Sequence, residues 1–114
     1  MRNKLTDKDR LFHILEAIKN IEEFTKSITY QDYNDDYKLR LALVKLLEII
    51  GEASKGITLE TQEKFSEVEW SVLKGIRNTL VHEYFGIDYD IVWESIKQNI
   101  PILKIKIEEI FEEL

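Results

Sequence analysis

Apolar residues recur at three- and four-residue intervals along most of the chain, and that period predicts helices. Leu11, Ile14, Leu15, Ile18, Ile21 and Ile28 give a first helix of roughly 20 residues. Thr6 stands as its N-cap, with Asp7 and Asp9 in the first turn where the helix dipole favours negative charge. TYQDYNDD, polar and aromatic with Asn and Asp, reads as a loop. A second helix is expected from Asp36 to Lys55, and its centre, LRLALVKLLEIIGEA, is apolar around most of its circumference. A helix of that kind is buried on more than one side, and in so short a chain one side is expected to face a second copy. A short helical turn should follow Thr58, and a third helix should start at Trp70. Asp88 caps a fourth over Tyr89–Gln98, and Pro101 opens a fifth whose stripe is Leu103, Ile107, Ile110, Phe111 and Leu114. The pattern predicts an all-α antiparallel helical bundle of four to five helices, one domain over residues 1–114, forming a homodimer.

Composition narrows the chemistry. Hydrophobic residues make up 44% of the 114 and charged residues 33%, the balance of a folded domain. With no cysteine, disulfides and thiolate metal sites are excluded, and two histidines without a carboxylate cluster at ligand spacing predict no metal site. The four glycines form no phosphate-cradling loop. No apolar run approaches the roughly 20 residues that span a bilayer, and MRNKLTDKDR lacks an apolar signal core, so a cytoplasmic protein without a membrane partner is expected. The net charge of −6 argues against non-specific coating of nucleic acid, so any work on RNA needs a local site.

GIRNTLVHEYFGID, residues 75–88, holds the residues that packing explains least. On a helical wheel Leu73, Ile76 and Leu80 form a core stripe, and Arg77 lies at its margin, about 40° from Leu73 and on the same side as Tyr84. Asn78 and His82 are four apart and face outward together. Arg77 and His82 point about 140° apart on a straight helix. For the two to share a site, the helix must end or bend near His82, where Gly86 and Asp88 supply a stop, or they must meet a partner's copies across a two-fold axis. Packing alone would read Arg77 as a snorkelling margin residue, His82 as a partner of the helix dipole and Tyr84 as core filler. Elsewhere, His13 reads as a packed or surface histidine. Glu52, on the buried second helix, needs a partner such as Arg77 or an N–H. The acidic tail IEEIFEEL reads as a solvated face.

RNTLVH resembles the R-x4-6-H signature of the HEPN superfamily, and His82-Glu83-Tyr84 extends it to the R-x4-H-x-Y of HepT-like toxins. LFHILEAIKNIEEF, LLEIIGEASK and EVEWSVLKGIRNTLVHEYFGIDYDIVWESI also resemble family segments, so the likeness covers nearly the whole chain. The resemblance implies a homodimeric bundle acting as a metal-independent ribonuclease without a cofactor, on RNA with tRNA among the candidates. It implies catalytic Arg77 and His82, a supporting Asn78, and Tyr84 as the site of AMP transfer by an MNT-type nucleotidyltransferase antitoxin. The pair would be of the type VII-like toxin–antitoxin kind. Thr79 departs from the pattern, since many relatives carry a second arginine there.

The chemistry is coherent. A histidine with a reference pKa of about 6.5 can take the 2′-OH proton or protonate the leaving 5′-oxygen near neutral pH. A guanidinium can hold two phosphate oxygens as charge builds on them. Two other readings stay open: a non-catalytic helical subunit that binds or presents substrate to the nucleotidyltransferase, and a purely structural dimerising bundle.

Overall fold

The computed structural model describes residues 5–82 and 86–114, and only the backbone of Arg77, Val81 and His82. Tyr84, the expected site of AMP transfer, lies outside the described residues. The fold is all-α. Helix α1 spans Asp7–Thr25, and Thr6 opens it through a capping box in which its hydroxyl accepts from the Asp9 N–H while Asp9 accepts from the Thr6 N–H. Ser27, at φ 60, turns the chain out of that helix before Ile28. Helix α2, Tyr30–Asp35, occupies the stretch expected to be a loop. Thr29 and Asp32 form a second capping box there, and Tyr33 sinks into the core at 1% exposure. Helix α3 runs from Tyr37 to Lys55 with Asp36 as its cap.

Most of the apolar circumference of α3 is used within the chain. Leu43, Val44, Leu46, Leu47 and Ile50 are buried, and only Leu41 among its leucines is left well exposed, at 42%. Each fully buried Ile or Leu contributes roughly 1.5–3 kcal/mol by leaving water, and Leu11, Ile14, Ile18, Leu43, Leu47, Ile50 and Ile107 of the single core cluster qualify.

Helix α4, Leu59–Lys64, begins at the Thr58 cap. Asp7 joins it to the start of α1: its carboxylate accepts from the Thr58 N–H at 3.0 Å, the Thr58 hydroxyl at 2.6 Å and the Thr61 hydroxyl. Burial works to raise the pKa of that carboxyl, but these hydrogen bonds outweigh it and hold Asp7 below the usual carboxylate range. Because Thr58 lies just past the end of α3, α1 runs antiparallel to α3.

The helix expected from Trp70 is broken in two. Helix α5, Trp70–Lys74, ends at Gly75, and α6 spans Ile76–Leu80. Two short strands follow, β1 at Val81–His82 and β2 at Gly86–Ile87, paired antiparallel with Val81 opposite Ile87 and His82 opposite Gly86. Helix α7, Tyr89–Glu94, starts at the Asp88 cap, whose carboxylate accepts from the Asp90 and Ile91 N–H groups.

The fourth helix does not run on as α-helix to Gln98. Residues Ser95–Asn99 form a π turn, and α8 continues from Ile100 to Glu113. Pro101 explains the switch, because its ring clashes with the carbonyl four residues back. Widening the turn, seen as the Ile100 N–H reaching the Ser95 carbonyl, relieves that clash. Helix α8 buries Leu103, Ile107 and Ile110, whereas Phe111 is half-buried and Leu114 is 42% exposed, so the expected stripe is narrower. Lys104, early in α8, reaches Glu22 late in α1 at 3.0 Å, so these helices are also antiparallel. Among the described residues no helix is long and apolar enough to cross a membrane.

Candidate functional site

Helix α6 is seated on α3 at Gly51. A Cβ on Gly51 would stand 2.6 Å from Ile76 Cγ2 and 3.1 Å from the Leu73 carbonyl oxygen, so the close approach needs glycine. Leu80, at 1% exposure, anchors the other end of α6 in the core. Between these anchors Asn78 and Thr79 are exposed. The Thr79 hydroxyl donates back to the carbonyl of Gly75, the residue just before α6, at 3.4 Å.

The helix stops at Leu80, earlier than Gly86 and Asp88 suggest. The reason lies in one carbonyl: the Leu80 oxygen accepts from the Asp88 N–H at 2.8 Å, which ties the end of α6 to the residue after β2. Val81 is β-branched and opens the strand pair. Gly86, at φ 81, takes the left-handed conformation that only glycine adopts cheaply, and a Cβ there would meet nothing within 4 Å among the described residues. Arg77 therefore sits on α6 and His82 on β1. The angle of about 140° that a straight helix imposes on residues five apart does not apply between them.

Glu52 does not take the role expected of it. It is exposed, and its carboxylate accepts from Lys55 at 3.2 Å on the surface of α3 rather than meeting a buried partner. His13 is exposed on α1 beside Phe12, with ring centroids 6.4 Å apart. Beside α6 lies a cavity of about 240 Å³ lined by Leu47, Val72, Leu73, Ile76, Thr79, Leu80 and Ile102 among others. Val72 and Ile102 on its rim are each 56% exposed.

Along this same strip of α3 the structure assembles a group with no motif to announce it. Arg40 stands over two rings, 5.4 Å from the centroid of Tyr37 and 5.0 Å from that of Tyr89. Tyr33 donates its hydroxyl to the Tyr89 carbonyl at 2.7 Å, and Tyr30 donates to Asp90 at 2.6 Å, so α2 braces the first turn of α7. Burial raises the Tyr33 phenol far above its usual range. The sequence signal was the Tyr37–Arg40 spacing of three, which puts both on one face of the first turn of α3.

The family model "Ribonuclease HepT-like" matches residues 14–110. The chain belongs to the HepT-like ribonuclease family. The family's curated members include a "Probable ribonuclease HepT" of Thermococcus cleftensis, 42% identical over 107 residues that make up 94% of this chain and 97% of that protein. A "Putative RNase MJ1380" of Methanocaldococcus jannaschii is 43% identical over 98 residues, 86% of this chain and 90% of that one. A "Putative RNase TTE0752" of Caldanaerobacter subterraneus subsp. tengcongensis is 42% identical over 107 residues, 94% of this chain and 96% of its own. No solved structure matches this HepT-like chain significantly.

Proposed function

We propose that this HepT-like protein is a metal-independent endoribonuclease that cleaves RNA, tRNA being one candidate, with Arg77 and His82 as its catalytic pair. The observation that carries the reading is the end of α6 at Leu80, which frees His82 from the helix that holds Arg77. Family membership supports the ribonuclease class. In this reading Arg77 neutralises the phosphorane, and His82 takes the 2′-OH proton or protonates the leaving 5′-oxygen. The exposed Asn78 adds a hydrogen bond to the substrate. Thr79 offers a hydroxyl where relatives resembling this chain offer a second cation, so ground-state affinity for RNA is modest.

The protein works as a homodimer, which supplies a second histidine for the complementary proton transfer. What favours a second copy is the exposed Val72 and Ile102 on the rim of a cavity that Thr79 also lines. The chain is the toxin of a HepT/MNT pair, and AMP transferred to Tyr84 by the nucleotidyltransferase silences it by placing a negative phosphate in competition with RNA for Arg77. Incubation with RNA in EDTA tests the core of this reading. Wild type should leave 2′,3′-cyclic phosphate ends, and Arg77→Ala and His82→Ala should each lose at least a hundredfold in rate while keeping their helical circular dichroism. Full activity in both variants would refute it.

A further inference from the structure

The segment that carries the Arg77/His82 motif runs back along α3. Ile76 rests on Gly51, Leu80 shares a cavity with Leu47, and Tyr89 meets Arg40, so later residues of the segment lie beside earlier turns of α3. From Leu47 to Arg40 the helix axis advances on the order of 10 Å. That is about three stacked nucleotides at about 3.4 Å each. His82 follows Leu80 by two residues, so its backbone stands within a few nucleotides' length of the Arg40 turn, measured along one subunit.

At that turn the surface suits a nucleotide. Tyr37 is 58% exposed, with Arg40 over its ring. Arg40 uses Nη1 to donate to the carbonyls of Tyr33, at 3.3 Å, and Asn34. Its Nε and Nη2 donate to no other acceptor among the described residues, and no carboxylate there pairs with it. Two acids at the adjoining helix starts turn to other donors. Asp36 accepts from the Leu39 N–H at 3.0 Å, and Asp90 accepts from the Tyr30 hydroxyl at 2.6 Å. In a chain of net charge −6, an aromatic-flanked guanidinium without a carboxylate partner is a local site of the kind that RNA needs.

We propose that Tyr37, Arg40 and Tyr89 form a subsite for single-stranded RNA that flanks the scissile phosphate. A base stacks on the open face of Tyr37, and the remaining donors of Arg40 meet an adjoining phosphate. The subsite rests on the ribonuclease reading and deepens it by stating how the strand is held. Stacking is sequence-tolerant, so the subsite fixes the register of the strand rather than the identity of a base. Nη1 of Arg40 also fastens the end of α2, and for that reason the test turns on Tyr37, whose ring is mostly in solvent.

The full chain is mixed with a 2′-O-methyl oligoribonucleotide carrying 2-aminopurine, which binds without being cut, and cleavage of the matching RNA is followed in parallel. Tyr37→Ala should weaken binding and raise KM about tenfold, leave kcat within twofold, and abolish the quenching of 2-aminopurine. Tyr37→Phe should behave as wild type. If wild type binds and cleaves but Tyr37→Ala does both equally well, the subsite is overturned and the ribonuclease reading stands. If Tyr37→Ala keeps RNA binding and loses only association with the nucleotidyltransferase, the face is a protein interface and the proposal is overturned. A wild type that neither binds nor cleaves removes both readings together.

Discussion

Gly51→Ala and Gly75→Ala make the same chemical change at two glycines that the packing treats oppositely. In the interior of α3, replacing Gly51 by Ala gains about 1 kcal/mol of helix propensity. Against that, the new Cβ would stand 2.6 Å from Ile76 Cγ2 and 3.1 Å from the Leu73 carbonyl. Ile76 is β-branched and stiff, and the carbonyl is backbone, so neither yields without moving α5 and α6 off α3. Overpacking of this kind costs about 1–3 kcal/mol, which leaves a net loss centred near 1 kcal/mol. In a domain of this size, that lowers Tm by about 4 °C. A Cβ on Gly75 would meet nothing closer than 3.4 Å, and its φ is an ordinary negative one, so Gly75→Ala is expected to be neutral or to gain about 0.5 kcal/mol through the unfolded state. Thermal and urea unfolding measure both, and RNA cleavage reads the consequence for the motif, since Arg77 rides on the displaced helix. A Gly51→Ala protein as stable and as active as wild type would refute the claim that close packing at Gly51 sets the position of α6.

At Gly86 the strain is in the backbone. Gly86→Ala should cost about 1–2 kcal/mol at its φ of 81 and slow cleavage more than it lowers Tm, read by unfolding and by initial rates. Tyr33→Phe removes the hydroxyl that holds the Tyr89 carbonyl, and urea denaturation should show a loss of about 1 kcal/mol. Asp7 governs acid stability. Its folded pKa lies below its unfolded value, so its contribution is full above the ordinary carboxylate range and is lost as pH falls through the folded pKa. Tm measured from pH 7 down to pH 3 should fall more steeply for wild type than for Asp7→Asn, and parallel curves would contradict the Thr58–Thr61 clasp.

The parts of the fold that were legible from sequence are those where local chemistry and long-range packing agree. Thr6, Asp36 and Asp88 act as caps where their side chains meet orphan N–H groups, and Pro101 falls in the first turn of α8. Residues 29–36 misled because Asn and Asp are turn formers by local preference. The capping box at Thr29 and the burial of Tyr33 against Trp93 and Tyr89 override that preference. Glu52 misled for a related reason: α3 is apolar enough to suggest burial all round, yet its surface side carries Glu52 and Lys55. The candidate site was legible as a motif but not as a geometry. Nothing between Arg77 and His82 announces a helix end, since the stop depends on an N–H eight residues beyond Leu80. Arg40 and Tyr89, 49 positions apart, were invisible to any local pattern.

A crystal structure of the protein with an uncleavable 2′-O-methyl oligoribonucleotide would show whether the two groups meet on RNA. The Arg77 guanidinium and a His82 imidazole, from the same subunit or a second copy, are expected within hydrogen-bond distance of one phosphodiester. An oligonucleotide bound elsewhere, with those two groups facing separate surfaces, would contradict it.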